Sequence, residues 1–151
     1  MPDAEKTRAP LIFQSTVRAA PHAVFDAFFG EPTRWLCREG SVDARVDGLL
    51  RLCWPDGCYE GRFVQCVPPE VARFSWRMNG DPLPETMVVI SFEAAQRDGQ
   101  PATSLELEHY GFGVGPDWDL AYVGAARAWA MYLKNLRAVL EAGVDLREPD
   151  E

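Results

Sequence analysis

Two histidines, His22 and His109, are the residues through which imidazole chemistry could run. His109 closes an alternating run whose Leu105 and Leu107 share its face, so it is expected to point inward at a strand end. There a neutral imidazole can accept a proton or hold a ligand oxygen. A working base also needs an orienting acid or a nucleophile. Glu106 and Glu108 flank His109 and alternate to the opposite face. Asp26 in the first predicted helix and Asp119 at the start of the last are candidate polar partners, although each also reads as a solvated helix residue or a dipole complement. His22 reads as a surface residue. No catalytic residue is assigned.

The four cysteines, Cys37, Cys53, Cys58 and Cys66, form no CxxC pair and have no histidine beside them, so neither a metal site nor a cofactor is expected. They read as free, partly buried thiols in a reducing compartment, with Cys53 and Cys58 flanking one turn where oxidation could bring them together. A net charge of -8 repels phosphate backbones, and the arginines are scattered singly, so no nucleic acid partner is expected. No apolar run approaches the roughly 18 residues of a membrane span, and MPDAEKTRAP lacks a signal-like apolar region. The expectation is a cytoplasmic protein without membrane contact.

What remains is aromatic. Trp35, Trp54, Tyr59, Phe74, Trp76, Trp118, Tyr122 and Trp129, with His109 as a polar anchor, are the candidate ligand-binding residues. Aromatic walls with few polar groups are typical of small-molecule sites. The same rings also read as ordinary core.

The elements that must position them follow from periodicity. Residues 11–18 alternate as a strand, and Pro21 opens a helix over 22–29 that Gly30 ends. A second short helix is expected over 32–37. Alternating runs at 42–46, 49–54, 58–67, 71–78, 85–94 and 102–110, separated by turn residues, predict an antiparallel meander. An Asp56-Gly57 turn would set Trp54 opposite Tyr59, with Leu50, Leu52, Trp54, Tyr59 and Phe63 sharing a face. Ala72, Phe74, Trp76 and Met78 continue that inward face, as do Val88, Ile90 and Phe92.

After the glycine-rich stretch 111–115, Asp117 is placed to cap a long helix whose apolar positions run Trp118, Tyr122, Ala125, Trp129, Leu133, Leu136 and Leu140 before Gly143. Its first half carries small residues, Ala121, Gly124, Ala125, Ala126 and Ala128. They leave either room for a ligand or a closer helix–sheet contact. The fold class is α+β: a curved antiparallel sheet of about seven strands, two short helices after strand 1, and the long C-terminal helix packed on the concave face. One domain spans 11–143, between a flexible N-terminus (1–10) and an acidic tail (144–151).

Ala20-Pro21-His22-Ala23-Val24-Phe25-Asp26-Ala27-Phe28, Trp35, Gly61, Val67-Pro68-Pro69-Glu70, Phe74-Ser75-Trp76, Thr103 to His109, Gly111-Phe112 and Trp129 with Leu133 and Leu136 together resemble the activator of heat-shock-protein-90 ATPase homologue-like family. That family lies within the helix-grip, birch-pollen-allergen-like (START/SRPBCC) superfamily. The resemblance implies a cavity between sheet and long helix, used in the superfamily for lipids, hormones, polyketides or other apolar molecules. The expected function is a binding or carrier protein for a small apolar or aromatic molecule. Two alternatives stay open: a cyclase- or hydrolase-like enzyme using the same cavity, and a chaperone-associated or stress-related interaction module without ligand. A homodimer is compatible with each.

Overall fold

The computed structural model describes residues 7–147. Strand β1 (Leu11–Val17) leads into α1 (Pro21–Phe29) and a 3-10 turn (Pro32–Arg34). Then come β2 (Glu39–Val42), β3 (Leu49–Trp54), β4 (Gly57–Val67), β5 (Val71–Met78), β6 (Thr86–Arg97), β7 (Gln100–Tyr110) and α2 (Pro116–Ala142). The strands form one antiparallel sheet in the order β1-β7-β6-β5-β4-β3-β2. This is the α+β helix-grip arrangement that the alternation predicts.

The two faces of the sheet are sorted by charge as well as by apolarity. Ala72, Phe74, Trp76, Val88, Ile90, Phe92, Leu105 and Leu107 are all buried. On the outward face Arg51 and Glu60 stand directly opposite each other and pair at 3.5 Å. Helix α1 opens on Pro21, whose missing N–H needs no partner at that position. It closes one end of the core, with Phe25 against Phe92 and Phe29 against Phe63, ring centroids 5.3 and 5.5 Å apart.

Trp35 belongs to this scaffold. Its Nε1–H donates to the Ala27 carbonyl at 2.6 Å, and its own carbonyl accepts from buried Asn135 of α2 at 2.8 Å. Asn135 also donates to Asp145 and accepts the Leu146 N–H at 2.6 Å. The chain after Gly143 is thereby tied back onto the helix over residues 145–147. Residues 1–6 and 148–151, the outer parts of the two expected loose ends, lie outside the described residues.

Several local expectations are corrected. The second short helix is one 3-10 turn, and β2 occupies 39–42 rather than 42–46; residues 43–48 instead form a connection with Asp47 at φ 67°. Helix α2 is capped by Gly115, not Asp117, and has no side-chain cap; Pro116 takes the first turn, with Asp117 and Asp119 complementing the dipole. Asp98 and Gly99, at φ 52° and 76°, make a tight turn that lengthens β6 and β7 to the pair Arg97–Gln100.

The β3–β4 hairpin turns at Pro55-Asp56, two residues out of the expected register, so Trp54 pairs with Gly57 and Leu52 with Tyr59. A shift of two leaves every side chain on its expected face. It changes which outward residues meet: Cys53 now faces Cys58, with Cα atoms 4.0 Å apart, and the two are joined by a disulfide. The reading of four free thiols is therefore overturned; Cys37 and Cys66 alone are free. The expected turn would have set Cys53 opposite Glu60. With the disulfide goes the thiol argument for a reducing compartment. No helix among the described residues is long and apolar enough to cross a membrane.

Alkylation of the unfolded, unreduced protein is expected to label Cys37 and Cys66 and spare Cys53 and Cys58, all four reacting after reduction. For so short a loop, the Cys53→Ser/Cys58→Ser variant should lose about 2 kcal/mol in urea denaturation. Labelling of all four without reductant would show that the bond does not form.

Candidate functional site

Helix α2 rests on the sheet over only half its length. Trp129 is its first buried residue, followed by Leu133, Asn135, Leu136 and Val139. Before Trp129 the inner positions Ala121, Gly124, Ala125 and Ala128 face a cavity of about 190 Å³. Its opposite wall comes from Trp54, Tyr59, Trp76, Thr86, His109 and Phe112, and its rim from Met78 at the end of β5 and Asp81, Leu83 and Pro84 of the β5–β6 connection. Ala126, expected with the other small residues, does not line it.

The wall is a continuous set of rings in mutual contact. Tyr59 stacks on Trp76 at 4.7 Å and Trp54 on Tyr132 at 5.5 Å, while Trp76 and Trp129 lie 5.6 Å apart. The Trp54 Nε1–H donates to the Leu36 carbonyl at 3.0 Å, which fixes the ring at the end of β3.

The floor is polar and closed upon itself. Trp129 Nε1–H donates to His109 Nδ1 at 2.9 Å. An indole nitrogen only donates, so Nδ1 is bare and the hydrogen of the neutral ring sits on Nε2. From there it is given to Thr86 Oγ1 at 2.7 Å, and the Thr86 hydroxyl donates to the Trp76 carbonyl at 3.1 Å. Burial, with the ring 1 % exposed, pushes the His109 pKa down to about 3. Asp119 and Tyr122, which could have oriented it, are engaged elsewhere: Asp119 with Arg8, and the Tyr122 hydroxyl with the Ala9 carbonyl at 3.0 Å. Both His109 nitrogens thus hold the fold together, and neither is open to a substrate proton.

Tyr59 and Tyr132 behave differently. Burial and then Asp56 and Asp81 raise the Tyr59 pKa. Burial above all pushes Tyr132 up to about 12, with Tyr59 and Asp56 adding to it. Both phenols therefore stay protonated at neutral pH.

The first half of α2, lacking buried anchors, is held from outside. Arg8 donates from Nε to the Gly113 carbonyl at 2.9 Å, pairs with Asp119, and lies 5.3 Å from the Tyr122 ring centre. Trp118 folds back over Gly113, where a Cβ would sit 2.4 Å from its Nε1, so only glycine allows that approach. Gly115, at φ 117°, makes the turn into the helix.

Of the sequence candidates, Trp54, Tyr59, Trp76, His109, Trp118 and Trp129 are brought together around the cavity. Trp35 and Phe74 lie in the core beside it, and Tyr122 packs on Phe112 behind it at 5.1 Å. The sequence reading missed Phe112, Thr86 and Tyr132. Tyr132 falls three residues after Trp129, a helical spacing that could have found it. A larger concavity of about 430 Å³ between β1 and the second half of α2 is a shallow groove lined by Gln14, Ser15, Lys134, Arg137 and Glu141, with Phe13 its one aromatic residue. Among the described residues no group of three or more His, Cys, Asp or Glu side chains converges to hold a metal.

A family model described as "Activator of Hsp90 ATPase homolog 1-like protein" matches residues 18–141. Among solved structures, the Aha1 dimer from Colwellia psychrerythraea is 17% identical, with 90% of this chain and 98% of that chain covered and a TM-score of 0.73. CalU16 from Micromonospora echinospora is 21% identical, covering 91% and 84% with a TM-score of 0.66. An HSP90 activator from Plasmodium falciparum is 19% identical, covering 87% and 95% with a TM-score of 0.70. At such identities the likeness is one of fold. No curated protein matches the sequence.

Two tests address the geometry. His109 is neutral when folded but titrates near its ordinary 6.5 when unfolded, so its contribution to stability is complete above that pH and lost as pH falls toward about 3. The loss from this residue should approach about 1.4 kcal/mol per pH unit. Urea denaturation of the wild type and His109→Gln between about pH 7 and about pH 4.5 should give a visibly flatter profile for the variant; equal slopes would assign the acid sensitivity elsewhere. In Arg8→Ala, amide hydrogen exchange should quicken at least about tenfold over residues 117–128 and stay unchanged over 133–140. Uniform exchange along α2 would remove Arg8 as the clamp.

Proposed function

Because the chain belongs to the activator of Hsp90 ATPase homolog 1-like family, whose fold commonly binds small hydrophobic molecules, we propose that it binds or carries a small, largely apolar, ring-bearing molecule between α2 and the sheet. The observation that carries this reading is the unanchored first half of α2. Thirteen residues of helix, 116–128, span the cavity without burying one side chain. They present Ala121, Gly124, Ala125 and Ala128 to a wall of tryptophan and tyrosine. Larger residues at those four positions would fill the core and stabilise the protein through burial. Small ones leave the wall free to gain that contact from a ligand.

An enzyme using the same cavity finds less support. The histidine that would serve as base spends both nitrogens on Trp129 and Thr86. No other imidazole lies near the cavity, His22 being on α1. Trp54, Tyr59, Trp76 and Trp129 are the proposed ring contacts, with Phe112 and Tyr132 added to them. His109 is proposed to position Trp129.

The test is a titration of intrinsic tryptophan fluorescence with a panel of one- and two-ring compounds and a hydrophobic dye, on wild type, Trp76→Phe and Ala125→Phe. Saturable quenching is expected in the wild type, a reduced change in Trp76→Phe, and at least about tenfold weaker binding where the phenylalanine fills the cavity. Absence of any response in the wild type, dye included, would overturn the reading in favour of an interaction module without ligand.

A further inference from the structure

Resting on the proposed cavity function, we infer that the ligand class is a neutral one- or two-ring molecule bearing a hydrogen-bond-accepting oxygen, such as an aryl ketone or a quinone. The inference comes from which polar atoms of the cavity are already used. Trp54, Thr86, His109 and Trp129 have spent theirs on one another or on backbone carbonyls. Four lining groups make no hydrogen bond to another described residue: the Tyr59 and Tyr132 hydroxyls and the Trp76 and Trp118 indole N–H groups. Among the described residues no buried side-chain polar atom lacks a partner, so these four reach accessible space, and all four residues line the cavity. An indole N–H only donates, and a phenol held in its protonated form always has a hydrogen to give. All four unspent groups can therefore donate, and only the two phenol oxygens can also accept.

That decides between ligand chemistries. A hydrocarbon would cover these donors and leave them unpaired, each then bearing the cost of its removal from water with no partner in return. An ammonium brings only donors, which the indole N–H groups cannot accept, so it would leave those groups unpaired and find acceptors in the two phenol oxygens alone. The wall rings, with neighbouring centroids 4.7–6.3 Å apart, pack on one another and form no open cage of facing rings around a cation. A carboxylate could accept, but it would be desolvated near Asp81 and Asp56, whose charges already act on the Tyr59 hydroxyl. The one cation among the lining residues, Arg77, is exposed and donates to the Asp81 backbone carbonyl at 2.8 Å. A neutral oxygen satisfies the donors without introducing a charge. The volume sets the size: an engineered apolar cavity of about 150 Å³ holds benzene, so one of about 190 Å³ takes one or two rings.

The experiment uses four probes of nearly one shape: 2-acetylnaphthalene, naphthalene, 2-naphthoate and 2-naphthylmethylammonium. Their affinities are measured by displacement of a hydrophobic dye and by calorimetry, on wild type and Tyr59→Phe/Tyr132→Phe. The ketone is expected to bind at least about tenfold tighter than each of the others. In the double variant its advantage over naphthalene should shrink to within about threefold, with naphthalene itself no weaker. Equal binding of ketone and hydrocarbon, or tighter binding of either ion, overturns the class while leaving the cavity function standing. Failure of all four probes and of the dye overturns both.

Discussion

The hydrogen bond from Trp129 to His109 is the constraint on which the rest of the architecture turns. It joins α2 to β7 at the point where the helix leaves the sheet, and it continues through Thr86 of β6 to the Trp76 carbonyl of β5. Three strands and the helix are thus registered by one chain of polar atoms in an otherwise apolar interior. The histidine is suited to this because its neutral ring both accepts and donates, in line with the Nε2–H tautomer the indole imposes. Such a network rigidifies a core only when every member is satisfied, and here every member is.

From that pivot α2 divides into two parts with different physics. Toward its C-terminus, Leu133, Leu136 and Val139 are buried, and Asn135 ties the helix to Trp35 and to the chain after Gly143. Toward its N-terminus nothing is buried, and Arg8 with the glycines of the preceding loop supplies the anchorage. A helix half held by one exposed ion pair, a few backbone carbonyls and the contacts of Trp118 and Tyr122 with Phe112 is easier to displace than one held by a packed core. The cavity beneath it is therefore bounded by a rigid aromatic wall on one side and a compliant cover on the other.

The aromatic wall itself depends on the β3–β4 hairpin. Its tight Pro55-Asp56 turn, with Cys53 joined to Cys58 on the outward face, holds Trp54 and Tyr59 where they meet Trp76 and Tyr132. The covalent link and the ring contacts lie on opposite faces of the same ribbon, so one constrains the geometry of the other.

Alternation and helical spacing alone determined the fold class, the inward faces of the strands and the long amphipathic helix, because burial on one face imposes a period of two on strands and about 3.6 on helices. They also placed His109 inward and grouped most of the rings that surround the cavity. Tertiary structure decided what pattern cannot carry. The two-residue register of the hairpin, and hence the disulfide, depended on which pair of residues made the turn, and a shift of two leaves the pattern unchanged. Whether Trp35 and Trp54 were core or wall depended on where α1 and α2 cross the sheet, since each carries the same aromatic signature. The partners of His109 came from β6 and α2, 23 and 20 residues distant in sequence. Local periodicity names the face on which a side chain lies, and only the packing of distant elements names what it meets there.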